Sequence, residues 1–140
     1  MNTILIVEDD TLMARVYVDK FRGAGFEVDL AMDGTSAINR LKETRPDIVL
    51  LDLMLGEVSG VEVLKFARSH EATKTMPVLV LSNAFMGDLV QAAWKAGANK
   101  CLAKSNCSPN KLVDEARMLL LPAPGSGPVA AAPAAPAAPT

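Results

Sequence analysis

The chain has 140 residues, half of them apolar, and a formal net charge of -2. That is enough for one domain with a real core. Acids and bases are interspersed, which excludes a basic stripe for direct nucleic-acid binding, and no apolar run approaches a membrane span. The N-terminus lacks the basic start and cleavage site of a signal peptide. Cys101 and Cys107 show no metal spacing, and one histidine cannot complete a zinc site with them, so they read as reduced thiols in a cytoplasmic protein.

Thr3 to Val7 predicts a first buried strand that runs into three acids, Glu8-Asp9-Asp10. A helix follows, capped by Asp10 or Thr11, with Met13, Val16, Tyr17 and Phe21 at helical spacing and with Gly23 and Gly25 as its stop. Residues 26–31 alternate apolar and acidic, the pattern of a half-exposed edge strand. Asp33-Gly34 turns into a helix carrying Ala37, Ile38 and Leu41. The central strand, 47–51, carries the unbroken apolar run Ile48 to Leu51, as in a strand buried on both faces, and meets the carboxylate of Asp52.

After Asp52 a loop leads to Ser59-Gly60, where Ser59 can cap a helix carrying Val61, Leu64 and Ala67. Pro77 opens a fourth strand, 78–81, that ends at Ser82-Asn83. A helix over about 87–96 is stopped at Gly97. Residues 99–103 form a short fifth strand ending at Lys104. Ser108-Pro109 is a cap with proline at the first helical position, opening a last helix with Leu112, Val113, Ala116, Leu119 and Leu120 on its apolar stripe.

Five β-α units with short loops imply an α/β fold, a doubly wound five-stranded parallel sheet with helices on both faces. Of the two common orders, five strands fit 2-1-3-4-5, and the edge-like second strand agrees with it. From Pro122 the composition changes: 6 of the last 19 residues are Pro, 8 are Ala and none is charged. Residues 1–121 are therefore one domain, and 122–140 a linker or tail expected to form no regular helix or strand.

In such a sheet ligands sit beyond the carboxyl ends of the strands, where the strand order reverses. Here that point lies between the first and third strands, so Glu8, Asp9 and Asp52 converge. Their repulsion calls for a counter-ion, and hard oxygen ligands on rigid strand ends suit a divalent cation of the magnesium type (Mg2+). Ser82 and Lys104 reach the same rim, where a hydroxyl and an ammonium could stabilise phosphoryl oxygens. Singly, each of these residues is an ordinary cap, turn residue or solvated lysine. All five at strand carboxyl ends form a joint signal.

The stretches Ile4-Leu5-Ile6-Val7-Glu8-Asp9-Asp10, Asp47-Ile48-Val49-Leu50-Leu51-Asp52-Leu53-Met54, Val80-Leu81-Ser82 and Cys101-Leu102-Ala103-Lys104 closely resemble the receiver domain of bacterial two-component response regulators, a flavodoxin-like fold. The resemblance covers about residues 1–121. It implies that Asp52 is the phosphoacceptor, that Asp9 is the direct magnesium ligand with Glu8 acting mainly through water, and that the backbone carbonyl of Met54 is a further ligand. It also implies that Ser82 is the switch hydroxyl and Lys104 the phosphate-binding lysine. The implied partner is a sensor histidine kinase or phosphotransfer protein, in a signalling module rather than a metabolic enzyme.

Four positions depart from the family pattern. Ser105 stands where proline is usual, Cys101 where an aromatic is usual, Asn83 where a small residue is usual, and Gly56 where proline is common. A cis peptide costs about 0.5–1 kcal/mol before proline but about 2.5–4 kcal/mol before serine, so Lys104–Ser105 is expected to be trans. Cys101 and Ser105 support an alternative, a receiver-like interaction module that keeps the fold with the phosphorylation switch weakened or lost. A second alternative, an aspartyl-phosphate hydrolase, usually carries its nucleophile after the first strand with another Asp two residues on. Here Asp52 follows the third strand and Met54 stands two on.

No helix-turn-helix, zinc finger or enzymatic domain follows residue 121, which leaves open both a single-domain regulator with a tail and the front of a longer chain. In the fourth helix Leu89, Ala93 and Ala96 share a face that suits the core, and Val90 and Trp94 lie on the neighbouring one. The surface formed by the fourth helix, fifth strand and fifth helix is the expected face for a downstream partner or for self-association, with Trp94 at the edge of an apolar patch beside Cys101.

Overall fold

The computed structural model describes residues 2–83 and 87–121. Its strands are β1 (Thr3–Val7), β2 (Glu27–Ala31), β3 (Ile48–Asp52), β4 (Val78–Ser82) and β5 (Lys100–Ala103). They form one parallel sheet in the order β2-β1-β3-β4-β5, as the sequence predicts. The helices α1 (Thr11–Gly23), α2 (Gly34–Glu43), α3 (Gly60–Ser69), α4 (Gly87–Ala96) and α5 (Pro109–Leu120) alternate with the strands. The expectation for residues 122–140 lies outside the described residues.

Side chains alternate across a strand, and the two series serve two cores. Ile4, Ile6, Ile48, Leu50, Leu79 and Leu81 pack with Tyr17 and Phe21 of α1 and with Leu112, Val113 and Ala116 of α5. Leu5, Val7, Val49, Leu51, Val78 and Val80 pack with Ala37 and Leu41 of α2, Leu64 and Ala67 of α3 and Ala93 of α4. With a core on each face, β3 and β4 are buried at every residue, which is why they read as unbroken apolar runs.

The helix starts follow cap chemistry. Asp10 accepts from the backbone N–H of Leu12 and Met13, Asp33 from Ser36, Ser59 from Glu62 and Ser108 from Lys111. In α1 the expected apolar stripe needs correcting. Ala14, Tyr17 and Phe21 form the buried face, whereas Val16 is 37% exposed, because it is displaced by about 100° from Tyr17 on the helix.

Two boundaries also differ. Asp52 is the last residue of β3 itself, bonded into the ladder opposite Leu81 rather than following the strand. Strand β5 stops at Ala103, and Lys104 opens a 3-10 turn, Lys104–Asn106, closed by the Cys107 N–H on the Lys104 carbonyl at 3.4 Å. The Lys104–Ser105 peptide is trans, as expected.

At the opposite, amino end of the sheet Arg68 at the close of α3 ties three segments. Its Nε and Nη2 donate to the Gly97 carbonyl at 3.1 and 2.9 Å. Nη2 also donates to Asn99 Oδ1 at 2.9 Å, and Nη1 to the Thr73 carbonyl at 3.2 Å. Asn99 Oδ1 accepts the Val78 N–H as well, at 2.8 Å.

Candidate functional site

The site is built by strand ends. The β1–β3 register sets Val7 beside Leu51, so Glu8 and Asp52 leave neighbouring strands at the same height. Both continue the even-numbered series of their strands, Ile4-Ile6 and Ile48-Leu50, and therefore face the α1–α5 side. Glu8 is 1% exposed and Asp52 2% exposed, whereas Asp9 is exposed. One carboxylate oxygen from each of the three lies within 4.8 Å of the other two.

Lys104 supplies the positive charge. Its Nζ donates to Asp52 Oδ2 at 2.9 Å and to Glu8 Oε1 at 3.0 Å. The remaining oxygens take backbone donors: Asp52 Oδ1 accepts the Met54 N–H at 3.0 Å, and Glu8 Oε2 the Asp10 N–H at 3.2 Å. Both buried carboxyl groups are thereby fixed in orientation. Asp10, the third acid of the run, is engaged by its capping role, which sets it apart from the cluster.

One ammonium cannot balance two buried carboxylates, and the excess falls on Glu8. Burial and then the Asp52 charge push its carboxyl up to about 7, against the opposing pull of Lys104. Burial works against the Lys104 ammonium, but its hydrogen bond and attraction to Asp52, and then to Glu8, outweigh that and raise its pKa.

Of the remaining expected residues, Ser82 is buried at the end of β4 beside Ala103. It belongs to the other side-chain series, with Val78 and Val80, and among the described residues the hydrogen bonds joining Glu8, Asp52 and Lys104 do not extend to it. Met54 is exposed and meets the site through its backbone. The three carboxylates offer hard oxygen donors within 4.8 Å of one another, a donor set that fits magnesium, which accepts few protein ligands and keeps waters.

Two neighbours were not legible as site residues. Tyr17 reads as helix core, yet burial pushes its hydroxyl up to about 12 and the charges of Lys104, Glu8 and Asp52 all act on it. Gly60 reads as a turn residue, but a Cβ there would run into the Asp52 carbonyl oxygen and lie 2.7 Å from Leu53 Cα. Its position directly after a cap, where a side chain is normally tolerated, was the available signal.

The family model for the response regulator receiver domain matches residues 4–117. The DNA-binding response regulator MtrA of Mycobacterium tuberculosis is 34% identical over 117 residues, covering 84% of this chain and 50% of MtrA. The chain thus spans about half the length of the curated relatives it matches first. The solved receiver domain of sensor histidine kinase PA1611 from Pseudomonas aeruginosa PAO1 has a magnesium ion coordinated in its active-site cleft. It superposes with a TM-score of 0.73 at 30% identity, covering 84% of this chain and 93% of that one. The chemotaxis response regulator CheY4 of Vibrio cholerae gives a TM-score of 0.79 at 26% identity, covering 86% and 99%.

Proposed function

This chain belongs to the response regulator receiver domain family, and from that membership we propose that it is a phosphorylation-dependent switch with Asp52 as phosphoacceptor. The observation that carries the reading is the Lys104 ammonium shared between Asp52 Oδ2 and Glu8 Oε1 at the meeting point of three carboxylates. A single lysine at a helix or strand end is commonplace. One held against a buried carboxylate at the sheet's switch point is arranged for phosphoryl chemistry.

The donor is a phosphohistidine on a sensor histidine kinase or phosphotransfer protein. A carboxylate oxygen of Asp52 attacks phosphorus in line; the O–P bond forms as the N–P bond breaks, and the departing imidazole nitrogen keeps the electron pair and takes a proton from solvent. Magnesium, when bound, neutralises charge on the transferring phosphoryl oxygens. Asp9 would hold it directly, Glu8 mainly through water, with Asp52 and the Met54 carbonyl as further donors. Lys104 exchanges its contact with Asp52 Oδ2 for a phosphoryl oxygen, and the Ser82 hydroxyl would turn toward the rim from the other side-chain series to donate to another. The chain acts only on its own phosphorylation state and is a signalling module.

Residues 1–121 form the receiver unit, with 122–140 as tail or linker. The output is read by a downstream protein, or by a second copy, on the surface of α4, β5 and α5. The setting is cytoplasmic; among the described residues no helix is long and apolar enough to cross a membrane. Acetyl phosphate with magnesium should add one phosphate to the intact mass, and Asp52→Asn should abolish the gain. No gain on the wild type, or an undiminished gain on the variant, overturns the reading.

A further inference from the structure

Two helices beside the site, α2 and α3, begin with a glycine, Gly34 and Gly60, directly after its capping residue. Neither has the left-handed φ that calls for glycine, and glycine is a poorer helix residue than alanine. What both share is close approach to the segment that follows Asp52. A Cβ on Gly60 would strike the root of that segment, at the Asp52 carbonyl and Leu53. A Cβ on Gly34 would lie 2.5 Å from the Val58 carbonyl oxygen, 2.6 Å from Val58 Cγ1 and 2.7 Å from Val58 Cβ. At Gly23, by contrast, a Cβ would meet nothing within 4 Å.

The loop between these two contacts is short and anchored. Leu53 and Leu55 are buried, and Val58 packs against the same core. Gly56, at φ +82, reverses the chain, and the Gly60 N–H closes the base on the Leu53 carbonyl at 3.1 Å. Between the anchors Met54 donates its N–H to Asp52 Oδ1. Val58 is followed at once by the Ser59 cap and by Gly60, which touches the Asp52 main chain. A displaced Val58 therefore shifts Asp52 from both sides, through Met54 and through Gly60.

We infer that Gly34 is a positioning residue for the acid site: the first turn of α2 is a backstop for Val58, and it sets where Asp52 and the Met54 backbone stand. The inference rests on the functional reading above, in that the site takes magnesium.

The test is calorimetric titration with magnesium chloride alone, with circular dichroism and melting curves on the same samples. Gly34→Ala should remain folded and bind magnesium roughly tenfold more weakly, the size seen when the support of a metal ligand is disturbed. Gly23→Ala, a glycine-to-alanine change without the contact, should bind as wild type. The melting curves separate positioning from a general loss of stability: Gly34→Ala should be fully folded at the titration temperature, so that weaker binding belongs to the folded site. A folded Gly34→Ala with wild-type affinity overturns the inference. If Gly34→Ala does not fold, Val58→Gly alone decides: weakened binding supports the inference, since the backstop then has nothing to hold, and unchanged binding overturns it. If the wild type takes up no magnesium, the functional reading fails and this inference with it. If the wild type binds magnesium and a folded Gly34→Ala binds it equally well, this inference fails and the functional reading stands.

Discussion

Lys104 Nζ stands 2.9 Å from Asp52 Oδ2, a contact between residues 52 positions apart in the chain. The same ammonium reaches Glu8 Oε1 at 3.0 Å, so one cation serves two carboxylates that are almost fully withdrawn from water. That imbalance marks the resting site, and its energetic and chemical consequences can be measured.

Lys104→Met leaves Glu8 and Asp52 facing each other without a counter-ion. In urea unfolding at pH 7.5 without divalent cations, the variant should lose about 2 kcal/mol, a figure reduced from the usual cost of orphaning a buried charge because the lysine side chain is 27% exposed. Lys104→Met combined with Asp52→Asn should recover most of the loss. An unchanged single variant would show that the ammonium is not the counter-ion.

Glu8 gives the metal-free protein a pH dependence of definite sign. Its folded carboxyl is pushed up to about 7 from an ordinary 4.5, so the folded chain holds a proton that the unfolded chain releases in that interval. The contribution to stability is full below about 4.5 and is lost as pH rises through 7. Wild type minus Glu8→Gln, followed by unfolding midpoints from pH 4.5 to 8, should decline with pH. A flat or rising difference would contradict the burial argument.

The two acids after β1 differ in exposure, and their roles should separate accordingly. Asp9 is open to solvent, whereas Glu8 already has Lys104 and the Asp10 N–H as partners. Asp9→Ala should therefore weaken magnesium binding more than Glu8→Ala. A titration that ranked the two in the other order would reverse the assignment of direct ligand.

Trp94 is the one tryptophan of the chain, and its indole N–H is buried without a hydrogen-bond acceptor among the described residues. A buried donor left unsatisfied favours any rearrangement that gives it a partner. Binding of a beryllofluoride phosphoryl mimic with magnesium should change its emission or its quenching. If the mimic binds and the fluorescence stays the same, the α4-β5-α5 surface is not coupled to Asp52 through Trp94.

Much of this was legible in the chain because strands buried on both faces leave long apolar runs and helix caps leave polar residues at fixed offsets. Ile48 to Leu51 and Val78 to Leu81 announce the centre of the sheet, and Asp33, Ser59 and Ser108 announce three helix starts. The register that brings Glu8 level with Asp52 agrees with the apolar runs of the two strands, Ile4 to Val7 and Ile48 to Leu51, ending side by side. What stayed hidden depends on contacts between distant segments. Val16 and Ala14 are both apolar enough to seem internal, and only the packing of α1 on the sheet selects Ala14. Gly34 looks like a turn glycine until Val58 is seen against it. Arg68 looks like a solvated helix end until Gly97 and Asn99 are placed around it.

That guanidinium has a mechanical meaning. Helix α4 runs from Gly87, near the rim where β4 ends, to Ala96, a span of about 15 Å. Its far end passes straight into Gly97, whose carbonyl takes two donors from Arg68 and whose Cα has no room for a methyl group because the Arg68 side chain fills it. The helix is thus held in two ways, by polar bonds at its carboxyl end and by the packing of Leu89, Val90 and Ala93 on the core along its length. Any displacement of α4 that preserves the Arg68 bonds must therefore be smallest at Gly97 and largest toward Gly87.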